Sequence, residues 1–203
     1  MRTGAIILAG GLSTRMGRPK ELLPFGDSTL LGHTIDTLRT CATPIVVVTR
    51  DAAQALPALP AGVSHTHDEP AGAGPFAGLA TGLRWLHEHG GLAAADCAFA
   101  TACDQPFLTA GAVRWLLDQL GGHDLVMPRV GGFLQPFCAI YRLSVGPVAD
   151  RLLAAGTSTP RSLATATDAR ILDEPELRGF DADLRFLQNL NTPADYDRAR
   201  RER

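Results

Sequence analysis

Short apolar runs alternate with amphipathic stretches along the whole chain. Ala5–Ala9, Ile45–Thr49 and Cys97–Ala102 are built from small and β-branched residues and bounded by glycine, proline or charge, the pattern of buried strands. Leu125–Met127 and Phe137–Tyr141 read the same way, with one shorter strand at Val63–Thr66. Helical spacing fills the intervals. Leu31, Ile35 and Leu38 share a face of Thr29–Arg39, for which Asp27 or Ser28 is the expected N-cap. Leu79, Leu83 and Leu86 do the same in Pro75–His89. Ala110–Leu120 carries Val113, Leu116, Leu117 and Leu120 on one side, capped by Thr109 and stopped by Gly121-Gly122. Val145–Ala155 and Pro193–Arg201 complete the helices, and the stretch from Asp51 to Gly74, rich in Ala, Pro and Gly, reads as loop. Strand–helix alternation predicts an α/β fold with a mostly parallel sheet. Such sheets bind ligands at the carboxyl ends of their strands. The chain beyond Gly10, Thr49, Asp68 and Asp104 is therefore where chemistry is expected.

Composition narrows the classes. The 203 residues are 45% hydrophobic and 20% charged, with 19 basic against 21 acidic side chains. That supports one domain with a full core and excludes disorder. No run of 18 apolar residues occurs, so no membrane span is expected. Met1–Gly11 is too short for a signal peptide and reads as a first strand. Cys41, Cys97, Cys103 and Cys138 lack CxxC spacing and read as reduced thiols of a cytoplasmic protein. A near-neutral chain does not advertise nucleic-acid binding. Any phosphate ligand must be met by a local cluster of cations.

That cluster exists. In Leu8–Lys20 (LAGGLSTRMGRPK) an apolar strand runs into Gly10-Gly11 and then into a loop with Arg15, Arg18 and Lys20. Glycines let the backbone approach a ligand, successive N–H groups form an anion-binding concavity, and the cations neutralise a polyphosphate. GxxxxGK[ST] and GxGxxG are both excluded by spacing. The bland alternative is a solvated strand-to-helix loop. Asp104, in Cys103-Asp104-Gln105-Pro106-Phe107-Leu108, ends the third run. An Asp there can hold a hard cation, and Mg2+ takes one or two carboxylates plus substrate phosphate. Alternatively it bonds its own backbone in a turn.

The segment LAGGxSxRMGxxK resembles the nucleotide-sugar-type nucleotidyltransferases, in the branch of the molybdenum cofactor guanylyltransferases. The resemblance implies a single three-layer α/β/α domain, dinucleotide-binding-like, over residues 1–203. About 1–108 would bind nucleotide and about 109–203 the acceptor. It implies GTP in a pocket lined by Leu8, Ala9, Gly10 and Gly11, Lys20 and Arg15 on the phosphates, and Asp104 as the Mg2+ ligand. Asp68, ahead of Gly74-Pro75, would sit at the base or ribose; Thr49 stands in the same pocket where relatives often carry Asn. Gln135 in Gly132–Arg142, and Asn189 and Asn191 in FLQNLNTP, would face the pterin acceptor, while Thr192-Pro193 starts a helix.

The implied reaction transfers GMP from GTP to the terminal phosphate of molybdenum-molybdopterin. Beyond these two substrates, at most transient contact with cofactor-delivery proteins or apoenzymes is implied. Rival readings are a cytidylyltransferase on the same pterin, whose relatives tend to read LAAG where this chain reads LAGG, a transferase for another phosphorylated acceptor, and a nucleotide-binding module that no longer catalyses. His65-x-His67-Asp68 lacks a fourth zinc ligand nearby and reads as strand-edge residues. His87 and His89 fit helix C-terminal charge compensation. Ser13 and Ser144 have no nucleophile-elbow context, and Trp85 and Trp115 read as packing.

Overall fold

The computed structural model describes residues 1–11, 16–68 and 73–202. The chain runs through β1 (Thr3–Leu8), a 3-10 turn (Lys20–Leu22), the hairpin β2 (Pro24–Phe25) and β3 (Ser28–Thr29), α1 (Leu30–Leu38), β4 (Ile45–Thr49) and β5 (Val63–His67). Then come α2 (Pro75–Glu88), β6 (Cys97–Ala102), α3 (Ala110–Asp118), β7 (Leu125–Val130), β8 (Phe133–Leu134), β9 (Cys138–Arg142) and α4 (Gly146–Ala154). The last elements are α5 (Leu163–Ala166), β10 (Ala169–Leu172), α6 (Glu174–Phe180) and α7 (Pro193–Arg201).

The main sheet has the order β10-β7-β9-β6-β1-β4-β5. β6, β1, β4 and β5 are parallel neighbours; β9 runs antiparallel to both β6 and β7. β1 and β4 are buried along nearly their whole length, which explains their continuous apolar sequence, since both faces of a central parallel strand are covered. Alternate residues divide between the faces. Ala5 and Ile7 pack with Leu31, Ile35 and Leu38 of α1, Val113 and Leu116 of α3, and Leu177 of α6. Ile6 packs with Phe76, Leu79 and Leu83 of α2, Ala149 of α4 and Leu163 of α5. Two helical layers thus enclose the sheet. No helix among the described residues is long and apolar enough to cross a membrane.

Several local expectations shift. Neither Asp27 nor Ser28 caps α1: Ser28 pairs with Phe25 in the β2–β3 hairpin, so the helix starts later and Thr29 Oγ1 accepts from Gly32 N at 3.1 Å. Thr109 caps α3 as expected, accepting from Ala112 N at 3.1 Å. Thr192 caps α7 with Pro193 in the first turn. The first strand lies at Thr3–Leu8 rather than Ala5–Ala9, although Ala9 N still donates to Val48 O. β10 and α6 were not read from sequence. β10 (ARIL) is only half-buried and carries no clean alternation. α6 did carry a signal, the Asp173…Glu176 box, where Glu176 accepts from the Asp173 backbone N–H.

Candidate active site

Because β1, β4, β5 and β6 are parallel and in register, their carboxyl ends share one edge of the sheet. Leu8 is level with Val48 and Ala102, and Thr49 with His67. A cleft of about 530 Å3 opens along that edge. Leu8–Gly11 line it from β1, Val48–Arg50 from β4, Asp68 from β5 and Ala102–Asp104 from β6. The N-terminal turn of the 14-residue α2 closes one side with Gly74, Pro75 and Gly78, presenting the positive end of a helix dipole.

One end is defined by Lys20 and Asp104. The 3-10 turn carries Lys20 across to the β6 exit, where Nζ donates to Asp104 Oδ2 at 2.6 Å. Both side chains keep less than a fifth of their surface exposed. Glu21, next in the turn, is 3% exposed yet lines the same cleft. Its Oε1 accepts from Gln54 Nε2 at 2.6 Å. On the described walls, three carboxylates (Glu21, Asp68, Asp104) face two cations (Lys20, Arg50). A polyphosphate entering there requires added positive charge. Among the described residues no group of three or more His, Cys, Asp or Glu could hold a metal. A hard cation would therefore be shared between Asp104, already facing an ammonium, and the ligand's own oxygens. That donor set suits a divalent cation of the magnesium kind.

The opposite end belongs to Asp68. It is 6% exposed, and its Oδ1 is buried with no hydrogen-bond partner among the described residues. Gly78 of α2 makes the space: a Cβ there would lie 3.1 Å from Asp68 Oδ1 and 3.1 Å from Leu8 Cδ2. Burial pushes the Asp68 carboxyl up to about 6 against a smaller opposing pull from His67. Thr49 lines the cleft, but its hydroxyl is engaged inside the protein. Oγ1 lies 2.8 Å from His65 Nε2 and 3.0 Å from Asp51 O. His65 itself is held below its usual range by burial and by His67. The hydroxyl has one proton, and the Asp51 carbonyl is there to take it.

Leu8, Ala9, Gly10, Gly11, Lys20, Thr49, Asp68 and Asp104 are brought together in this one cleft. Gly10 also meets a steric demand, since a Cβ there would sit 2.9 Å from Arg50 N. Arg15 lies outside the described residues, as does the 69–72 stretch preceding α2. Arg18 is exposed and does not line the cleft. Of the acceptor residues, Asn191 reaches the wall because Leu190 N donates to Asp104 O at 2.9 Å. Tyr196 of α7 ties the following helix to Pro24 O. Asn189 is exposed outside the lining, and Gln135 turns its amide onto Phe133 O instead of the cleft.

A family described as "MobA-like NTP transferase domain" matches residues 5–171 of the chain. The chain belongs to that family. As a member of the MobA-like NTP transferases it is a nucleotidyltransferase. A protein of Carboxydothermus hydrogenoformans named "Probable molybdenum cofactor guanylyltransferase" is 32% identical over 192 residues, 95% of this chain and 92% of the relative. A relative of the same name in Mycobacterium avium is 35% identical, covering 96% and 93%. Among solved structures, molybdopterin-guanine dinucleotide biosynthesis protein A of Archaeoglobus fulgidus superposes with a TM-score of 0.76 at 22% identity, covering 98% and 97%. The 2-C-methyl-D-erythritol 4-phosphate cytidylyltransferase of Thermus thermophilus superposes at 0.71 with 18% identity, covering 100% and 98%. These two likenesses concern the fold.

Membership of a nucleotidyltransferase family suggests a divalent-metal requirement, and the Asp104 carboxylate is a suitable hard donor. Sequence reasoning missed Glu21, Arg50, Met16 and Phe137, all on the cleft wall of this MobA-like domain. Met16 lies inside the Leu8–Lys20 segment, Glu21 directly follows it and Arg50 directly follows an expected strand exit, so reading one residue further would have found the last two. Phe137 gave no signal beyond the strand expected at Phe137–Tyr141, which in the structure begins one residue later, at Cys138.

Proposed function

We propose that this chain transfers GMP from GTP to the terminal phosphate of molybdenum-molybdopterin, releasing pyrophosphate and forming a guanine dinucleotide cofactor. One observation carries the reading: the Gly10-Gly11 turn, Lys20 and Asp104 converge at one end of a cleft whose other end is a buried carboxylate with no partner among the described residues. The names of the relatives supply the pterin. The acceptor's phosphate monoester has a second pKa of about 6 and is mostly dianionic at pH 7. It needs no general base. The barrier is anion repulsion and misalignment, so fixed charge and positioning carry the rate.

In this reading the backbone at Gly10-Gly11 cradles the phosphates and Lys20, joined by Arg15, neutralises them. Asp104 would hold Mg2+, which when bound adds positive charge against the phosphate oxygens. Asp68 reads the base. Guanine presents two adjacent donors, N1–H and the N2 amino group, which one carboxylate can accept together. Cytosine sets an acceptor, N3, beside its amino group and would oppose the Asp68 lone pairs, which favours GTP over CTP. Thr49 contributes surface to the nucleoside pocket. Asn191 faces the acceptor, with Gln135 and Asn189 reached only by an acceptor extending past the cleft. The first half of the domain thus binds nucleotide, the second half contributes the acceptor wall, and the enzyme works in the cytoplasm.

The experiment is product formation from GTP or CTP with molybdenum-loaded pterin. The expected result is guanine dinucleotide with GTP and little product with CTP. Preference for CTP would overturn the base assignment, and tight GTP binding without pyrophosphate release would favour a non-catalytic binding module.

A further inference from the structure

The loop after β4 sends one side chain back across the strand ends. Gln54 lies behind the cleft wall, outside the lining, and its amide makes three hydrogen bonds to three separate parts of that wall. Nε2 donates to Ala9 O at 2.5 Å and to Glu21 Oε1 at 2.6 Å, while Oε1 accepts from Arg50 N at 3.1 Å. The partners fix the amide's orientation: two acceptors must face the NH2 group and one donor must face the oxygen. Asp51 preorganises the loop, its Oδ1 accepting from Ala53 N at 3.0 Å. The wall segments joined in this way are already close, since the β1 exit at Gly10 has no room for a Cβ against Arg50 N.

We propose that Gln54 is a positioning residue for nucleotidyl transfer, a three-way tie that fixes the spacing between the phosphate end of the cleft, through Glu21 beside Lys20, and the nucleoside end, through Arg50 beside Thr49. The inference rests on the nucleotidyl-transfer reading. A ligand spanning both ends benefits from that spacing; a ligand filling one end does not. Gln54→Glu keeps the shape but turns carboxylate oxygens onto the Ala9 carbonyl and the Glu21 carboxylate. Gln54→Met keeps length and loses all three bonds.

The test compares wild type, Gln54→Met and Gln54→Glu for binding of GTP, guanosine and inorganic tripolyphosphate by calorimetry at a temperature where circular dichroism shows each variant folded. Expected are GTP affinities lowered about 10-fold in the Met variant and about 100-fold in the Glu variant, the scale of loss that follows sub-ångström to 1 Å misplacement. In the Met variant guanosine and tripolyphosphate should bind within about 2-fold of wild type, in the Glu variant guanosine should do so while the added charge beside Glu21 weakens tripolyphosphate, and kcat for product should fall with GTP affinity. Equal losses for all three ligands would show a general structural role and overturn the proposal. So would GTP binding unchanged in both variants. Wild type that fails to bind GTP would overturn the GTP reading of the cleft and this inference with it.

Discussion

Replacing Asp68 by Asn separates stability from function at one atom. The Asp68 carboxyl is pushed from 3.8 to about 6, so ionising it in the folded chain costs about 3 kcal/mol more than ionising it in the unfolded chain. Because the folded value lies above the unfolded one, this cost is absent below pH 3.8, grows between 3.8 and about 6, and is complete above that. Asn carries no charge at any pH. Any packing difference it introduces is pH-independent, so the stability difference between variant and wild type isolates the ionisation. At pH 8 the variant should gain about 3 kcal/mol on wild type relative to pH 3, and about half of that by pH 5. For a domain of this size that corresponds to roughly 6–12 °C in Tm at pH 8. The same substitution removes the anionic acceptor for the guanine edge and should weaken GTP binding about 10–100-fold, the value of one charge-assisted hydrogen bond. Below about pH 6 wild-type GTP affinity should decline more steeply than that of the Asp68→Asn variant, which keeps the contributions of other groups, the nucleotide's own terminal phosphate among them. Paired melts from pH 3 to 8 and titrations with GTP measure both effects. Parallel melting profiles across that range would refute the assignment of Asp68 as a buried carboxylate without a partner.

Asp104→Asn should bind GTP but lose metal-dependent turnover by at least about 100-fold, the typical cost of removing a principal electrostatic contribution. Full activity of the variant with Mg2+ would contradict the metal assignment. Gly10→Ala places a Cβ 2.9 Å from Arg50 N and must spread the β1 and β4 exits. Tm should fall by several degrees, the cost of about 1–3 kcal/mol for a contact against backbone, and GTP affinity at a temperature where the variant is folded should drop at least about 10-fold; unchanged Tm and affinity would show that the exits tolerate the shift.

The sheet and most of its helices were legible because central strands buried on both faces leave continuous apolar runs, and α1–α3 keep their leucines at helical spacing. The Lys20–Asp104 end of the cleft was legible as well. Gly10 and Asp104 stand at strand exits, which can be read, and Lys20 closes the glycine-rich segment that leaves the first strand. Less was visible where burial is partial or contacts are distant in sequence. β10 is half-exposed and its period is weak. Gln54 sits in an Ala- and Pro-rich loop and gains meaning only from partners 33 and 45 residues away. Gln135 looked available in its extended segment, but the turn after β8 lets its amide bond the nearby Phe133 carbonyl. Thr49 lines the cleft, yet only the neighbouring strand shows that His65 approaches its hydroxyl.

The central claim is that one cleft holds a metal-bound triphosphate between the β1 exit and Asp104, with the base against Asp68. Crystals grown with Mn2+ and a non-hydrolysable GTP analogue test it directly through the anomalous signal of the metal. The account predicts a peak within about 2.2 Å of an Asp104 carboxylate oxygen, phosphates over Gly10-Gly11 and the guanine edge against Asp68. A metal bound away from Asp104, or a base turned away from Asp68 with the nucleotide ordered, would contradict it.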